Sequence, residues 1–444
     1  FTDETPSRLY VSRVLAAQNA PAETCSLAAF GMGAVDEDGN IALRVDGNTT
    51  VSGRNGSGVS RFAMRVMLVA GTRPEAIKLA PVVLALRAAP GIDSLVLTTG
   101  QHRELALEVF DLFGIQPDVD LAIMRANQTP TLVAAAVLTG LEPHLTDWHP
   151  DWVVVQGDTT TVLAATIAAH YGGIRVAHVE AGLRSHYRRN PFPEEFNRVL
   201  TSHAVDLHFA PTDGARDNLL REGIPSDRIV VTGNPVVDAL DHFRGLEWEP
   251  GPADPLSRLP ADKRLLLVTT HRRESFGPPL ERICQAVSSL ARRPDVHVVV
   301  PVHPNPQVSM VVRERLTGAT AITLVDPLDY RSLVWLMHRS HLILTDSGGI
   351  QEEAPSLGKP VLILREVTER PEGIAAGCAE LVGTEIDRIV AVTTELLDDT
   401  ERYGRMAHAA NPYGDGHAAE RIVRALLTCD PDGERPADMA RMGG

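Results

Sequence analysis

The sequence predicts an α/β protein of two Rossmann-like domains whose parallel sheets face a central cleft. Three observations carry this. From residue 65 onward, short apolar strands alternate with helical stretches, which is the grammar of parallel sheets covered on both faces. That strand–loop–helix order occurs in two series, separated by a proline-rich segment at 245–259 with few apolar residues. With 444 residues, the chain is long enough for two domains, each with its own core.

Taken in order, residues 1–62 read as an extension of weak structure. They are polar and rich in Gly and Ser, as in Gly53-Arg54-Asn55-Gly56-Ser57-Gly58, with a hairpin expected around Asp36–Asn40. Met64 stands directly before a clean strand, 65–70. Further strands are expected at 94–98, 152–156, 174–177 and 206–210, and a second series at 265–270, 296–301, 321–325, 341–345 and 360–364. Helices are expected at Pro81–Ala88, Glu104–Phe113 and Ser332–Met337. The boundary falls near 235–260, giving a first domain at 63–235 and a second at 236–415. A last helix, 416–428, should pack back on the first domain, with a flexible tail at 429–444.

Composition narrows the function. Apolar residues are 44% and charged residues 22% of the chain, a globular balance. No apolar run is long enough for a membrane span, and the N-terminus lacks the order of a secretion signal. A net charge of -15 argues against nucleic acid as a general partner. Cys25, Cys284, Cys378 and Cys429 form no CxxC, which disfavours a disulfide scaffold or a zinc site and makes the cytoplasm the default. No metal site is expected.

Open parallel sheets bind ligands at the carboxyl ends of their strands. The first strand runs into Gly71-Thr72-Arg73-Pro74-Glu75 and then Lys78. A plain turn with a proline near the helix start explains the segment taken alone, and the two cations beside a helix N-terminus make an anion site an equal reading. Asp346-Ser347-Gly348-Gly349-Ile350-Gln351-Glu352-Glu353 follows another strand. Its glycines allow close approach of a diphosphate, and Ser347 reads either as a ligand donor or as a helix cap. Glu352 and Glu353 suit ribose hydroxyls. Asp158 in Gln156-Gly157-Asp158-Thr159, Glu180 in His178-Val179-Glu180-Ala181-Gly182, and Glu194 in Pro193-Glu194-Glu195-Phe196-Asn197-Arg198 put acids near the strand ends of one domain. Glu195 reads better as a structural partner. His271-Arg272-Arg273 and Pro301-Val302-His303 end strands of the second half, and Arg365–Glu372 brings Arg370.

Other motifs are missing. There is no GxGxxG after a strand, Gly358-Lys359-Pro360 lacks P-loop spacing, and Asp118-Val119-Asp120 lies in a connection and reads as chance.

Together GTRPEAIKLAP, TGQHREL, GDTTTVLAA, HVEAGLR, PEEFNR, TGNPVVDAL, HRRESFG, PVHPNP, TDSGGIQEEAPSLGKPVL, TERPEG and NPYGDG resemble the non-hydrolysing UDP-N-acetylglucosamine 2-epimerases of bacteria, from about Arg65 to Leu427. The resemblance implies a GT-B-like fold, reversible conversion of UDP-GlcNAc to UDP-ManNAc, no redox cofactor and a homodimer. By position it implies Asp158, Glu180, Glu194 and His271 as catalytic. It implies Arg73, Lys78, Ser347, Gly348, Gly349, Glu353 and Arg370 as UDP contacts, and Gln101, His102, Gln128, Arg272 and His303 as a second, activating UDP-GlcNAc site. Leu328 and Leu333 stand where relatives can carry Gln and Phe, which leaves the uridine base to the main chain. Asn127 stands where some relatives place an Arg, which implies a weaker effector site.

Without NAD, the workable route to C2 is elimination of UDP across C1–C2 and its re-addition. That route needs a base, an acid on the opposite face and charge stabilisation for UDP. Rival readings are a glycosyltransferase of the same fold, a hydrolysing epimerase and an inactive UDP-sugar sensor. Three acids in one domain favour the epimerase.

Overall fold

The computed structural model describes residues 34–35, 41–45, 49–52 and 64–428, apart from 102, 126, 127, 190 and 246. In the N-terminal unit, β1 (Ala34–Val35), β2 (Ile41–Val45) and β3 (Thr49–Ser52) form an antiparallel sheet. Val35 pairs with Ile41; residues 36–40, where a hairpin was expected, lie outside the described residues.

From Met64 on, two sheets form, and every strand pair in them is parallel. The first contains β4 (Met64–Ala70), β5 (Ile92–Thr98), β6 (Val119–Asp120), β7 (Trp152–Gln156), β8 (Arg175–Val179), β9 (Leu207–Ala210) and β10 (Ile229–Val231), in the order β10-β9-β8-β7-β4-β5-β6. The second contains β11 (Arg264–Thr269), β12 (Val296–Pro301), β13 (Ile322–Val325), β14 (Leu342–Thr345), β15 (Val361–Ile363) and β16 (Ala379–Leu381), in the order β13-β12-β11-β14-β15-β16. Buried runs such as Val66–Ala70 and Trp152–Gln156 explain the pattern: strands covered on both faces have no polar side to alternate. Three edge strands, β6, β10 and β16, escape the sequence pattern because two or three residues show no periodicity. Asp118–Asp120, read as a chance match in a connection, supplies β6.

In each sheet the order in which strands are added reverses once, between β4 and β7 in the first and between β11 and β14 in the second. Such switch points open a crevice beyond the strand ends. Gly71 and Asp158 flank the first, and His271 and Ser347 flank the second.

One apolar cluster takes side chains from both halves. The helix Arg73–Ala88 (Leu79, Val83, Leu86) packs with the helix Pro235–Arg244 (Leu240, Phe243) and with the helix Ala418–Thr428 (Ile422, Leu426). Phe243 meets Tyr330 edge-on at 5.5 Å. The segment expected to be bare connection contributes as well: Leu256 and Leu259 are buried in this cluster. Asp238 accepts the N–H groups of Ala418 and Ala419, so a side chain on one helix caps another far along the chain. Two further clusters lie on the other faces of the sheets. Among the described residues no helix is long and apolar enough to cross a membrane.

Candidate functional site

The turn after β4 departs from its sequence reading. Glu75 accepts the N–H of Gly71 at 2.5 Å and of Thr72 at 3.2 Å, completing a capping box at the start of the helix Arg73–Ala88. Two amides that an anion would have used are thus taken by the chain itself. Gly71 is required for space, since a Cβ there would sit 2.5 Å from Thr161 Oγ1. Arg73 reaches across to the carbonyl of Leu328 at 2.9 Å.

The end of β7 is tightly anchored. Gly157 has φ +86, a conformation that Gly adopts cheaply, and it precedes Asp158. Arg198 lies 2.6 Å from Asp158 Oδ2, and Asn197 Nδ2 donates to the Asp158 carbonyl. Both come from the helix Glu194–Ala204. The spacing from Glu194 places Asn197 and Arg198 on one helical face, a signal present in PEEFNR but not used in the sequence reading. Glu195 holds the N–H groups of Ser185 and His186 and pairs with Arg198, so its structural reading stands. Glu194 is half-buried, and its carboxylate has no partner among the described residues.

Glu180 has φ 67, a strained choice for a side-chain-bearing residue. It is buried against Lys78 Nζ at 2.6 Å, accepts from Gln156 Nε2 and faces Arg370 at 3.6 Å. Lys78 also reaches Glu352 at 3.3 Å, and Arg370 Nε donates to Glu352 at 2.6 Å. Lys78, Glu180, Glu352 and Arg370 therefore form one buried cluster joining the two halves. Glu352 belongs to these cations rather than to a ribose, which corrects the sequence reading. Burial, reinforced by Glu352, raises the pKa of Glu180 against the pull of Lys78 and Arg370. Burial also opposes ionisation of Glu352, but Arg370 and Lys78 outweigh it and hold that group low.

In the second half, Asp346 is fully buried and accepts the N–H groups of His271 and Arg272; its Oδ1 lies 3.0 Å from His271 Nδ1. Nδ1 therefore carries the proton, and Nε2 is left to act. Despite burial, the contact with His271 keeps the pKa of Asp346 low. Ser347 precedes the helix Gly348–Glu353, and its hydroxyl makes no cap bond, so the capping explanation does not hold. The Arg370 guanidinium lies where a Cβ on Gly348 would be, 2.5 Å from its Nη1. A helix N-terminus and a guanidinium, both positive, converge on one spot, as anion sites do. Tyr330 donates to Glu353 at 3.0 Å, and burial pushes the Glu353 carboxyl up to about 8. Arg365 is held by Glu274 and Glu369 and adds no free cation.

The residues expected at a second site are partly scattered. His303 stacks on His271 with ring centroids 5.9 Å apart, and the Arg272 N–H shares the Asp346 carboxylate with His271. Gln101 accepts from Thr161 at 3.0 Å. Gln128 bonds within its own turn, to Arg125 N and Ile123 O. His102 and Asn127 lie outside the described residues.

Residues 84–427 match the family model described as UDP-N-acetylglucosamine 2-epimerase. A Yersinia pestis protein named UDP-N-acetylglucosamine 2-epimerase is 52% identical over 369 residues, covering 82% of this chain and 98% of that protein. The structure of UDP-GlcNAc 2-epimerase from Neisseria meningitidis bound to UDP-GlcNAc superposes with a TM-score of 0.77 at 44% identity, covering 82% of this chain and 100% of that one. An S. aureus MnaA–UDP co-structure gives 0.75 at 42%, covering 82% and 95%. The two sheets are those of the GT-B-like enzymes of this group, and the chain belongs to the UDP-N-acetylglucosamine 2-epimerase family.

Proposed function

We propose that this enzyme interconverts UDP-GlcNAc and UDP-ManNAc by eliminating UDP across C1–C2 and adding it back. The observation that carries the reading is the spot where Arg370 meets the start of the helix Gly348–Glu353, with Glu180 of the other half 3.6 Å from the same guanidinium. One side offers positive charge for a departing diphosphate, and the other offers carboxylates for a proton.

In the forward direction one carboxylate takes the C2 proton as the C1–O bond breaks. The bond pair leaves with UDP, and C1=C2 forms to give a 2-acetamidoglucal. Protonation of C2 from the opposite face and return of a UDP oxygen to C1 complete the exchange. Asp158 and Glu180 are the proton-transfer groups, supported by Glu194, with His271 beside the departing phosphate. Arg73, Lys78, Ser347, Gly348, Gly349 and Arg370 hold UDP, with the neutral Glu353 carboxyl and Tyr330 toward the ribose. Removing the proton next to a leaving diphosphate favours groups that exchange protons near neutral pH, and the raised pKa of Glu180 supports its role.

A second UDP-GlcNAc at Gln101, His102, Gln128, Arg272 and His303 belongs to this reading. The stacking of His303 on His271 supports it, because a ligand there would act directly on a catalytic ring. So does a cytoplasmic homodimer. Buried free thiols at Cys284 and Cys378 suit a reducing compartment, and exposed Phe196 and Leu200, one turn apart, are the kind of face a second copy covers.

The test is incubation with UDP-GlcNAc in D2O, followed by proton NMR. Deuterium should enter C2 of both epimers without added NAD. Product that keeps its original hydrogen, or a need for NAD, would sink the elimination route. Release of free ManNAc would mark a hydrolysing enzyme, and inertness until a sugar acceptor is added would mark a transferase. Started from pure UDP-ManNAc, the same assay should show a lag that trace UDP-GlcNAc abolishes; linear progress would remove the second site.

A further inference from the structure

We propose that His178 is a positioning residue for Asp158: it fixes the left-handed turn at Gly157 from which the Asp158 carboxylate is presented. The inference rests on the assignment of Asp158 to proton transfer.

Gly157 sits between strand and helix with φ +86, and nothing lies within 4 Å of where its Cβ would be. Packing therefore does not hold it. A glycine in open space has several conformers of similar energy, so the choice among them must come from its peptide groups. Both are tied to β8. The Gly157 N–H donates to Val179 O at 3.1 Å, and the Gly157 carbonyl lies 2.7 Å from His178 Nε2. A carbonyl only accepts, so Nε2 carries the hydrogen and Nδ1 the lone pair. The next residue is held from the other side, by Asn197 on its carbonyl and Arg198 on its carboxylate. Asp158 thus hangs between the helix Glu194–Ala204 and one imidazole.

Burial is what chiefly disfavours a charge on that imidazole; Arg184 and Arg198 add to it, while the Gly157 carbonyl and Asp158 oppose it. Burial drives its pKa down to about 4, so the donor keeps its form across the physiological range. His178 Nδ1 is buried and meets no partner among the described residues, which is costly in a sheet interior.

Nature's own control stands beside it. His208 is the register partner of His178 on β9, is equally buried, and neither of its ring nitrogens has a partner among the described residues. It shares the burial and strand context of His178 without reaching Gly157.

The experiment compares His178→Leu, His178→Gln and His208→Leu by kcat, KM, UDP affinity and Tm. His178→Leu should lower kcat by about tenfold to a hundredfold, the scale of a small misplacement of a reacting group. KM and UDP affinity should move little, because the hydrogen bonds of Gly157 and His178 reach none of the groups assigned to UDP. His178→Gln returns an N–H at similar reach and should recover much of the loss. His208→Leu should leave kcat unchanged. Unchanged kcat in folded His178→Leu overturns the proposal, as does a Gln variant no better than Leu at equal Tm. Should His178→Leu not fold, His178→Asn replaces it, since its amide is too short to reach Gly157; Asn matching Gln in kcat again overturns the proposal. Asp158→Asn, run in parallel, separates the two claims. If it turns over normally, the role of Asp158 falls. If it is dead while His178→Leu is normal, only the positioning role falls.

Discussion

Glu75 shows how a single side chain can reassign a turn. Its carboxyl is buried, takes two backbone N–H groups and leaves Oε1 without a partner among the described residues. Burial outweighs those bonds and raises its pKa to about 7. The sign follows from proton counting. Between the unfolded value of 4.5 and about 7 the folded chain keeps a proton that the unfolded chain has released, so this group's stability contribution is present below 4.5 and lost as pH rises through 7. Glu75→Gln keeps the acceptor and removes the titration. Its Tm should fall less than that of the parent between about pH 5 and 7.5. Parallel Tm–pH curves would mean that Glu75 is ionised throughout. At this scale the sequence was only partly legible. The residue types near strand ends singled out Asp158, Glu180, His271 and Arg370 as candidates, and the fold brings Glu180 and Arg370 within 3.6 Å of each other. Their partners were hidden. Nothing in the letters of Gly71–Glu75 says whether an amide serves a ligand or its own capping box, and nothing in Glu352-Glu353 says that one carboxylate meets Lys78 and the other Tyr330.

The last helix carries a prediction of its own. Ile422, Ala425 and Leu426 recur at helical spacing and are buried against the helices Arg73–Ala88 and Pro235–Arg244. Ile422→Ala should cost about 2–5 kcal/mol in denaturant titration, the usual range for emptying a filled core position. A loss well under 1 kcal/mol would mean that the helix rests on the surface. Elements of this kind were readable from the sequence because their apolar spacing repeats over three turns. Strands β4, β7 and β12 were readable for the opposite reason, as unbroken buried runs. The edge strands β6, β10 and β16 were not, since two or three residues carry no period and exist only because a neighbour lends them hydrogen bonds. Leu256 and Leu259 were missed because prolines dominate their surroundings and mark the segment as a loop, while two leucines suffice to dock it.

At the scale of the molecule, the division into two sheets was the most legible feature and the sharing of one core the least. Each half owns a cluster on one face of its sheet. The other faces drain into common ground, where Leu79, Phe243, Tyr330, Ile350 and Leu426 belong to a single apolar body. Thermodynamically this forbids piecemeal melting. Loss of either sheet strips the cover from the other, so the intermediate would expose apolar area that neither half can bury alone. Residues 64–428 should therefore absorb heat in one transition, with the calorimetric enthalpy equal to the van't Hoff enthalpy. Two resolved peaks would show that the halves are separate folding units after all. A single peak means that a flaw in the first sheet lowers the melting of the second by the same number of degrees, and that UDP bound at the proposed anion site would protect strands on the far side of the molecule from hydrogen exchange.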